Sequence, residues 1–360
     1  MQKLRSLVLN RLELSPEDRT FAAILGDRPS QYAKSPSIWN PTFKALGLDA
    51  TYLPLDVPPG SLGQVVGILR DTPGYVGGNV TVPHKVEVMR YLDGLDPLAE
   101  SIGAVNTISR ERTGALIGSN TDGQGAVDAL LKAQPGQRAP FLESLGGARV
   151  LLLGAGGAAR AVAFSLGRQI GAGRMWIVNR SAARAAELAE RLRAAGMPAE
   201  ALELAAVSKV IDDVTLLVNA TSVGQSGLRA LAGGDTTILE PYSPLAPVSI
   251  ERVQSSEPEA LRAWARAASP GIADNDRQSL ELLSRLPVSA PCFDLVYSPA
   301  ETTLLRQARL SGHRVMNGKA MNVCQAVVAF FTVMRDTLER RGLDTPATYE
   351  RVLEIMDSVW

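Results

Sequence analysis

Cysteine, histidine and long hydrophobic runs are all scarce in this sequence. Its 360 residues include two histidines and two cysteines, Cys292 and Cys324, which lie far apart without metal-ligand spacing. Such usage is typical of small core residues in a reducing compartment. With no paired carboxylate cluster either, we predict no catalytic metal. No apolar run approaches the roughly 20 residues that span a bilayer, and the start has scattered charges rather than a signal-peptide core, so we expect a cytoplasmic protein.

An excess of charge of either sign is also missing. Lysine and arginine together number 37, and so do aspartate and glutamate. No overall field favours nucleic acid or an anionic membrane, and we expect neither as a partner. A hydrophobic content of 46% over 360 residues is enough for sizeable cores and indicates two domains.

Short apolar strands alternate with helical stretches in the first part of the chain. The predicted strands are Thr20–Asp27, Ala50–Val57 and Gly74–Thr81, and the helices between them include Ser37–Leu46 and Leu62–Leu69. This βαβ order predicts an α/β fold with a mostly parallel sheet, in which ligands gather beyond the carboxyl ends of the strands.

The third predicted strand ends in GNVTVPHK, which places three polar groups, Asn79, Thr81 and Lys85, at a carboxyl end. Ligands gather beyond the carboxyl ends of parallel strands, so this position predicts that these groups lie at a ligand site. We expect Pro83 to open a helix here. A cation at a helix start opposes the helix dipole, which argues against an ordinary surface lysine.

A second alternating series follows a loop rich in glycine, proline and glutamine. The apolar strand Val150–Leu153 runs into GAGGAA at 154–159, which matches G-x-G-x-x-G/A and continues as a helix-forming run. We predict that Gly154 permits the tight turn, that Gly156 lets the backbone approach a pyrophosphate, and that Ala159 keeps the helix close to the sheet. The alternative is a glycine-rich turn in an ordinary α/β unit.

The residues after the next strand indicate the type of dinucleotide. An NAD enzyme places an Asp or Glu there to bind the adenine ribose, but this chain has Asn179 and Arg180. Arg180, with Arg184 one turn later and Ser181 as a cap, suits the 2′-phosphate of NADP, because guanidinium pairs with phosphate in bidentate fashion. The alternative is a solvated arginine face on the predicted helix Ala182–Ala195.

Short motifs in one order carry a family resemblance. They are NVTVPHK (79–85), GAVNT (103–107), NTDG (120–123), GAGGAARA (154–161), NRSAAR (179–184), NATSVG (219–224) and FDLVYSP (293–299), followed later by Gln325-Ala326. Over roughly residues 20 to 335 the chain resembles the shikimate dehydrogenase family.

The resemblance implies two α/β domains with a cleft between them. A substrate domain over residues 1–125 would be completed by carboxyl-terminal helices at about 318–360, and a Rossmann-like NADP domain would cover 126–317. The implied activity is NADP-dependent interconversion of 3-dehydroshikimate and shikimate by hydride transfer.

Lys85 and Asp122 are similar to the family's catalytic pair. Oxidation of a ring alcohol needs a nicotinamide to carry the hydride and a protein group to move the hydroxyl proton. The resemblance implies that the lysine carries this proton and that the carboxylate orients it. The alternatives are a surface lysine and an aspartate that caps a helix.

The resemblance also implies the remaining contacts. Substrate contacts are expected from Ser35, Asn79, Thr81, Asn106, Tyr297 and Gln325. Cofactor contacts are expected from Gly154, Ala155, Gly156, Gly157, Ala158, Asn179, Arg180, Ser181, Arg184, Asn219, Ala220, Thr221 and Ser222.

Sequence context places two of these residues. Tyr297 follows a predicted strand, Phe293–Val296, and precedes SPAE at 298–301, which fits a capping box at a helix start. An ordinary strand-end aromatic is the alternative for Tyr297. Gln325 lies in an apolar run, 321–334, that predicts a buried helix.

The chain departs from the family pattern at the substrate end. Where the family has two serines in a pattern like H-S-x-S-P, this chain has Ala33 in place of the first, with Tyr32 or Lys34 as candidate substitutes. Further departures are Trp39, Lys319 and Asn322. Quinate, an aminoshikimate or a related cyclitol acid is therefore an alternative substrate. A metabolite sensor without turnover is a further alternative, against which the intact proton-carrying pair argues.

Residues 225–291 form a much longer connection than is usual in the family. They contain helix-like pieces such as Pro258–Ala268, and we predict a surface insertion, with a lid or an oligomer contact as alternatives. The expected partner is a small cyclic hydroxy acid, bound by a monomer or homodimer.

Overall fold

The computed structural model describes residues 2–12, 20–230, 236–248, 250 and 257–360. These residues form two compact units. The first comprises Met1–Phe141 and Ala320–Trp360, and the second comprises Leu142–Lys319. Within the described ranges, no helix is both long and apolar enough to cross a bilayer.

The first unit contains a six-stranded sheet. Its strands are β1 (Thr20–Gly26), β2 (Ala50–Asp56), β3 (Tyr75–Val80), β4 (Gly94–Leu95), β5 (Thr107–Arg110) and β6 (Leu116–Ser119). They lie in the order β2-β1-β3-β5-β6-β4. β5 is antiparallel to β3 and β6, and the other three pairings are parallel. The predicted α/β fold with a mostly parallel sheet is confirmed.

Helices cover both faces of this sheet. They are α1 (Gln2–Arg5), α2 (Pro29–Tyr32), α3 (Ser35–Ala45), α4 (Leu62–Arg70), α5 (Pro97–Ile102), α6 (Asp122–Leu131), α11 (Lys319–Val333), α12 (Arg335–Arg340) and α13 (Pro346–Ser358). Short 3₁₀ helices lie at Pro59–Ser61 and Glu87–Tyr91.

Each face of the sheet has its own core, because successive residues of β1 point to opposite faces. Phe21 packs into the cluster that α4 covers, whereas Ala22 and Ile24 pack into the cluster that contains Trp39 of α3. Phe330 of α11 and residues of α13 complete the second cluster. The carboxyl-terminal helices are therefore part of the first unit's core.

The second unit contains a six-stranded parallel sheet. Its strands are β7 (Arg149–Leu153), β8 (Arg174–Val178), β9 (Ala199–Leu202), β10 (Leu216–Asn219), β13 (Cys292–Asp294) and β14 (Val315–Met316). In the order β14-β13-β10-β7-β8-β9, the winding reverses between β7 and β10. This is the strand order of doubly wound dinucleotide-binding folds, which bind ligands at the reversal.

The other elements of the second unit are helices and one small hairpin. The helices are α7 (Gly157–Ile170), α8 (Ala182–Ala194), α9 (Pro258–Arg285) and α10 (Thr303–Leu310), with 3₁₀ turns at Leu204–Lys209 and Ile211–Asp213. β11 (Leu228–Ala230) and β12 (Thr236–Ile238) pair in antiparallel fashion. Both cysteines of the chain are buried, and burial raises the pKa of each thiol to about 12.

Two predicted helix starts are wrong. Pro83 opens no α-helix; a turn follows it and leads into the 3₁₀ helix at Glu87–Tyr91. The SPAE segment after β13 is not a capping box, because α10 begins only at Thr303 and Thr302 is its N-cap. The Thr302 hydroxyl accepts from the Leu305 amide at 3.3 Å, so Thr302 rather than Ser298 caps the first turn of α10.

The sequence predicted that residues 225–291 form a surface insertion. In the structure, part of this connection is buried instead. The helix predicted for Pro258–Ala268 continues to Arg285. Leu283, near its end, and Leu245 are buried in the same core cluster as Leu151 of β7 and Leu217 of β10. Part of this segment is therefore an integral layer of the second unit.

Candidate active site

Lys85 and Asp122 form an ion pair in the first unit. Lys85 lies in the turn after β3, and Asp122 is the first residue of α6. Lys85 Nζ is 2.6 Å from Asp122 Oδ2, and the two side chains are 22% and 10% exposed. Thr121, not Asp122, occupies the N-cap position. The structure contradicts the alternatives of a solvated lysine and a capping aspartate.

Asn106 connects this pair to a wider polar network. Its buried side chain donates through Nδ2 to Asp122 Oδ1 at 2.7 Å and to Thr121 Oγ1 at 3.0 Å. Its Oδ1 accepts from the Thr121 amide at 2.8 Å. Because both ends of the amide are engaged, Asn106 holds the carboxylate of Asp122 in one orientation.

Asn79 extends the network on the side of β2. Its Oδ1 accepts from the Tyr52 hydroxyl at 2.7 Å, and its Nδ2 donates to the Asn106 carbonyl at 3.3 Å. The Ser35 side chain lies beside the Tyr52 hydroxyl. Burial raises the pKa of the Tyr52 phenol far above its usual range, so it acts as a neutral donor. Ser35, Tyr52, Asn79 and Asn106 thus form one chain of contacts.

Gln325 reaches this network from α11. Its Oε1 accepts from the Thr121 hydroxyl at 3.3 Å and from Asn106 Nδ2 at 3.4 Å. The approach depends on Gly125 of α6, where a Cβ would lie 2.6 Å from Gln325 Cβ and 2.7 Å from its backbone nitrogen. Only glycine lets the two helices come this close.

The other substrate-side residues have separate surroundings. Thr81 is half-buried beside Gly26, and the exposed Tyr32 borders the same glycine. Trp39 is a core residue, with its ring 4.7 Å from that of Tyr52. Lys319 and Tyr297 belong to the second unit, where Tyr297 is half-buried. Asn322 accepts from the Trp360 indole at 3.1 Å.

A cavity of about 880 Å³ lies at the point where the second sheet reverses. Gly154, after β7, has φ +117 and a Cβ there would lie 3.0 Å from the backbone of Ala220, after β10. Gly156 is the N-cap of α7, and a Cβ there would meet nothing within 4 Å. The turn therefore requires glycine at 154 and leaves room for a phosphate at 156, against the amides of the helix start.

The predicted cofactor residues fall into two groups. Those that line the cavity are Gly154, Ala155, Gly156, Asn179, Arg180, Ser181, Arg184, Ala220, Thr221 and Ser222. Gly157 and Ala158 stand in the first turn of α7, outside the lining. Asn219 is fully buried and supports the turn, because its Oδ1 accepts from the Thr221 amide at 3.0 Å.

Asp294 holds Asn219 from the neighbouring strand. Its Oδ1 accepts from Asn219 Nδ2 at 2.8 Å, and its Oδ2 accepts from the Thr302 hydroxyl at 2.7 Å. Burial is the main cause that raises the pKa of this carboxyl to about 6, although three hydrogen bonds oppose the shift. This pair links β10, β13 and the start of α10.

The sequence reasoning missed three members of the first network. Thr121, Thr107 and Tyr52 all bond to Asn79 or Asn106. The first two lie inside quoted motifs, NTDG and GAVNT, whose polar neighbours were a usable signal. Tyr52 gave no such signal, because a tyrosine in an apolar strand is ordinary. The described residues contain no group of three or more His, Cys, Asp or Glu that could hold a metal ion.

The chain matches two family models, one for each unit. The model described as shikimate dehydrogenase substrate binding domain matches residues 25–108. The model described as shikimate / quinate 5-dehydrogenase matches residues 138–230.

Sequence and structure relatives cover most of the chain. A shikimate dehydrogenase (NADP(+)) of Shouchella clausii is 32% identical over 84% of this chain and 88% of its own length. The shikimate 5-dehydrogenase of Listeria monocytogenes, in complex with shikimate and NAD, superposes with TM-score 0.69 at 25% identity, covering 92% of this chain and 99% of that one. The Thermus thermophilus enzyme, in complex with NADP(H) and shikimate, has TM-score 0.63 at 29% identity, with 94% and 99% covered. The chain belongs to the shikimate dehydrogenase family.

Proposed function

We propose that the protein is an NADP-dependent dehydrogenase that interconverts shikimate and 3-dehydroshikimate. The observation that carries this proposal is the half-buried Lys85–Asp122 pair, 2.6 Å apart, inside a network of amide and hydroxyl groups. A proton carrier surrounded by hydrogen-bonding groups suits a reaction at one hydroxyl of a polyhydroxylated ring. Relatives named for this activity support it.

The protein's own groups have defined tasks in this reaction. When bound, NADP supplies the hydride chemistry. When the alcohol is oxidised, the neutral amine of Lys85 takes the hydroxyl proton and becomes an ammonium, and in reduction this ammonium returns the proton to the carbonyl oxygen. Asp122 fixes the position of the ammonium, and Asn106 fixes Asp122. We assign substrate contacts to Ser35, Asn79, Thr81, Asn106, Tyr297 and Gln325.

The cavity of the second unit has groups that fit NADP. The start of α7 and the open position at Gly156 suit a pyrophosphate. Arg180 and Arg184, which follow β8, suit a 2′-phosphate. We therefore assign the dinucleotide to this cavity and the proton transfer at the substrate hydroxyl to the Lys85–Asp122 pair of the first unit.

Turnover with a panel of acids tests the proposal. NADPH absorbance should rise when the protein is mixed with NADP and millimolar shikimate. Turnover of quinate or an aminoshikimate but not of shikimate would show that the proposed substrate is wrong and that the proposed dehydrogenase reaction is right. Binding without turnover of any acid would favour a sensor and contradict an enzyme.

Ala33 is the observation that favours a different acid. It ends α2 beside the helix that begins with Ser35, and it lacks the hydroxyl of the family pattern. If shikimate is the substrate, Ala33→Ser should raise kcat/KM by about 10- to 150-fold, because hydrogen bonds to charged groups contribute about 1.5 to 3 kcal/mol. Ala45→Ser, at an exposed site on α3, is the matched control. A loss of activity in Ala33→Ser would indicate a refitted pocket and another acid.

The remaining expectations belong to the same proposal. We propose a cytoplasmic monomer or homodimer with a small-molecule substrate and no nucleic-acid partner. Sedimentation of the full chain tests the oligomeric state.

A further inference from the structure

The long connection between β10 and β13 supplies one wall of the dinucleotide cavity. The residues it contributes include Leu239, Glu240, Tyr242, Pro244, Val248 and Trp264. Arg180 and Arg184, which follow β8, line the same cavity. A segment predicted to lie on the surface therefore reaches the place where the 2′-phosphate is expected.

Glu240 on this wall faces Arg180 directly. Arg180 Nη1 lies 3.4 Å from Glu240 Oε1, and the side chains are 78% and 19% exposed respectively. The glutamate is the more firmly held partner. Its Oε1 accepts from the Tyr242 hydroxyl at 3.0 Å, and its backbone carbonyl accepts from the Gly224 amide at 2.7 Å. The arginine can move away, whereas the carboxylate is tied to the wall.

The two residues of this pair favour different cofactors. An arginine after the second strand of the fold pairs with a 2′-phosphate, whereas an acid near the adenine ribose accepts from the 2′-hydroxyl of NAD. The end of β8 lacks the acid, but Glu240 brings a carboxylate to the same arginine from elsewhere in the chain. A carboxylate repels a phosphate dianion and competes for the guanidinium.

We propose that Glu240 sets the cofactor selectivity of this protein. Its carboxylate pairs with Arg180 until a 2′-phosphate displaces it, so NADP binds less tightly than Arg180 alone would permit, and NAD is rejected less strongly. The proposal rests on the assignment of the dinucleotide to this cavity. It adds a residue of the 225–291 segment that limits the preference for NADP.

Calorimetric titration with NADP⁺ and with NAD⁺ tests this without any turnover. Glu240→Gln removes the charge but keeps an oxygen that can accept from Tyr242. This variant should bind NADP⁺ about tenfold more tightly than the wild-type protein does, and its affinity for NAD⁺ should be equal to the wild-type value or lower. Glu240→Asp, which keeps the charge but shortens the reach to Arg180, should fall between wild type and Glu240→Gln. The matched control is Glu187→Gln on α8, a half-exposed glutamate that pairs with Arg191 at 3.3 Å.

A double-mutant cycle identifies the arginine involved. In an Arg180→Gln background, NADP⁺ should bind weakly, and adding Glu240→Gln should recover only a small part of the tenfold gain. If Glu240→Gln leaves the ratio of the two affinities at the wild-type value, the proposal is wrong. If neither dinucleotide binds the wild-type protein, the cavity assignment fails as well, which separates the two conclusions.

Discussion

In the first unit the functional side chains hydrogen-bond one another, whereas in the second unit the functional groups line a cavity. Lys85, Asp122, Asn106 and Gln325 are held by mutual contacts between 2.6 and 3.4 Å. The glycine turn after β7 and the mostly exposed Arg180 instead face about 880 Å³ of space. A site of the first kind is preorganised by side chains, and one of the second kind by backbone. We therefore expect the effect of one substitution to reach several residues of the first site, and to stay at the substituted residue in the second site.

The largest expected effect is that of Lys85→Ala. Loss of the proton carrier should lower kcat by about 100- to 10,000-fold, the usual range for a general acid–base group. NADPH affinity should stay within about twofold, because the lysine belongs to the first unit and the dinucleotide cavity to the second. Steady-state kinetics and a binding titration measure the two quantities.

Lys132→Ala is the control for this substitution. Lys132 also pairs with an aspartate, Asp128, at 2.8 Å, but its side chain is 53% exposed. Its kcat should match the wild-type value. A wild-type kcat in Lys85→Ala would remove the lysine from the reaction.

Asn106→Ala should show whether the first site behaves as one network. It leaves the Thr121 amide without its acceptor and Asp122 Oδ1 without its donor, so we expect about 3 kcal/mol less free energy of unfolding. kcat/KM should fall about 100-fold as Asp122 loses its orientation. Urea unfolding and kinetics measure these effects.

Asn10→Ala separates stability from catalysis. Asn10 bonds the backbone of β2 at both ends of its amide, at 2.9 Å to Pro54 and 2.8 Å to Asp56. The Asn10→Ala variant should lose about as much free energy of unfolding as Asn106→Ala and should keep the wild-type kcat. Equal kinetic losses in both variants would mean that the effect of Asn106 is only structural.

Gly125→Ala should break the helix contact that brings Gln325 to the site. The added Cβ would meet the backbone of α11, so we expect about 2 kcal/mol of destabilisation and a several-fold lower kcat/KM. Gly67→Ala on α4 is the matched control, because a Cβ there would meet nothing within 4 Å. That helix position should gain up to about 1 kcal/mol. Equal stability changes of the two variants would contradict the close approach.

The last expected effect, that of Asp294, is on stability alone and depends on pH. The folded protein holds its proton up to about pH 6, whereas the unfolded chain releases it near 3.8. Its contribution to stability is therefore complete below pH 3.8 and is lost as the pH rises through 6. We expect about 1 to 3 kcal/mol from this group, because one pKa unit corresponds to about 1.4 kcal/mol.

Asp294→Asn isolates this contribution. The difference in unfolding free energy between wild type and variant should change between pH 4 and pH 6 and stay flat above pH 7. The amide keeps a carbonyl oxygen for Asn219, so the fold should survive. A constant difference across this range would show that the carboxyl titrates normally.

Elements with a strong local pattern were predictable from the sequence. β1 and β7 lie within a residue of their predicted bounds, and α7 follows the GAGGAA turn as predicted, because apolar runs and this turn are local signals. The predictions that helices begin at Pro83 and after Ser298 were wrong. Both bonds that precede those prolines, Val82–Pro83 and Ser298–Pro299, are cis, which no residue pattern had indicated.

The site was predictable only where motifs carried it. Lys85, Asp122 and Asn106 lie in short motifs, whereas the contact between Tyr52 and Asn79 joins residues 27 positions apart in different strands. The pair Arg180–Glu240 spans 60 positions. Such contacts depend on strand order and on the path of the long connection, and one sequence contains no local signal for either.

The contribution of α11 to the first unit bears on how the protein is made. Gln325 contacts Asn106 across 219 positions, and the intervening chain builds the whole second unit. A ribosome therefore finishes the middle of the polypeptide before it delivers Phe330, which fills the core beside Trp39. Until then one face of the first sheet has only part of its apolar cover, that of α3, and nascent chains in this interval should be targets for chaperones. Folding of this protein thus ends with the helix that brings Gln325 to Asn106 and Thr121.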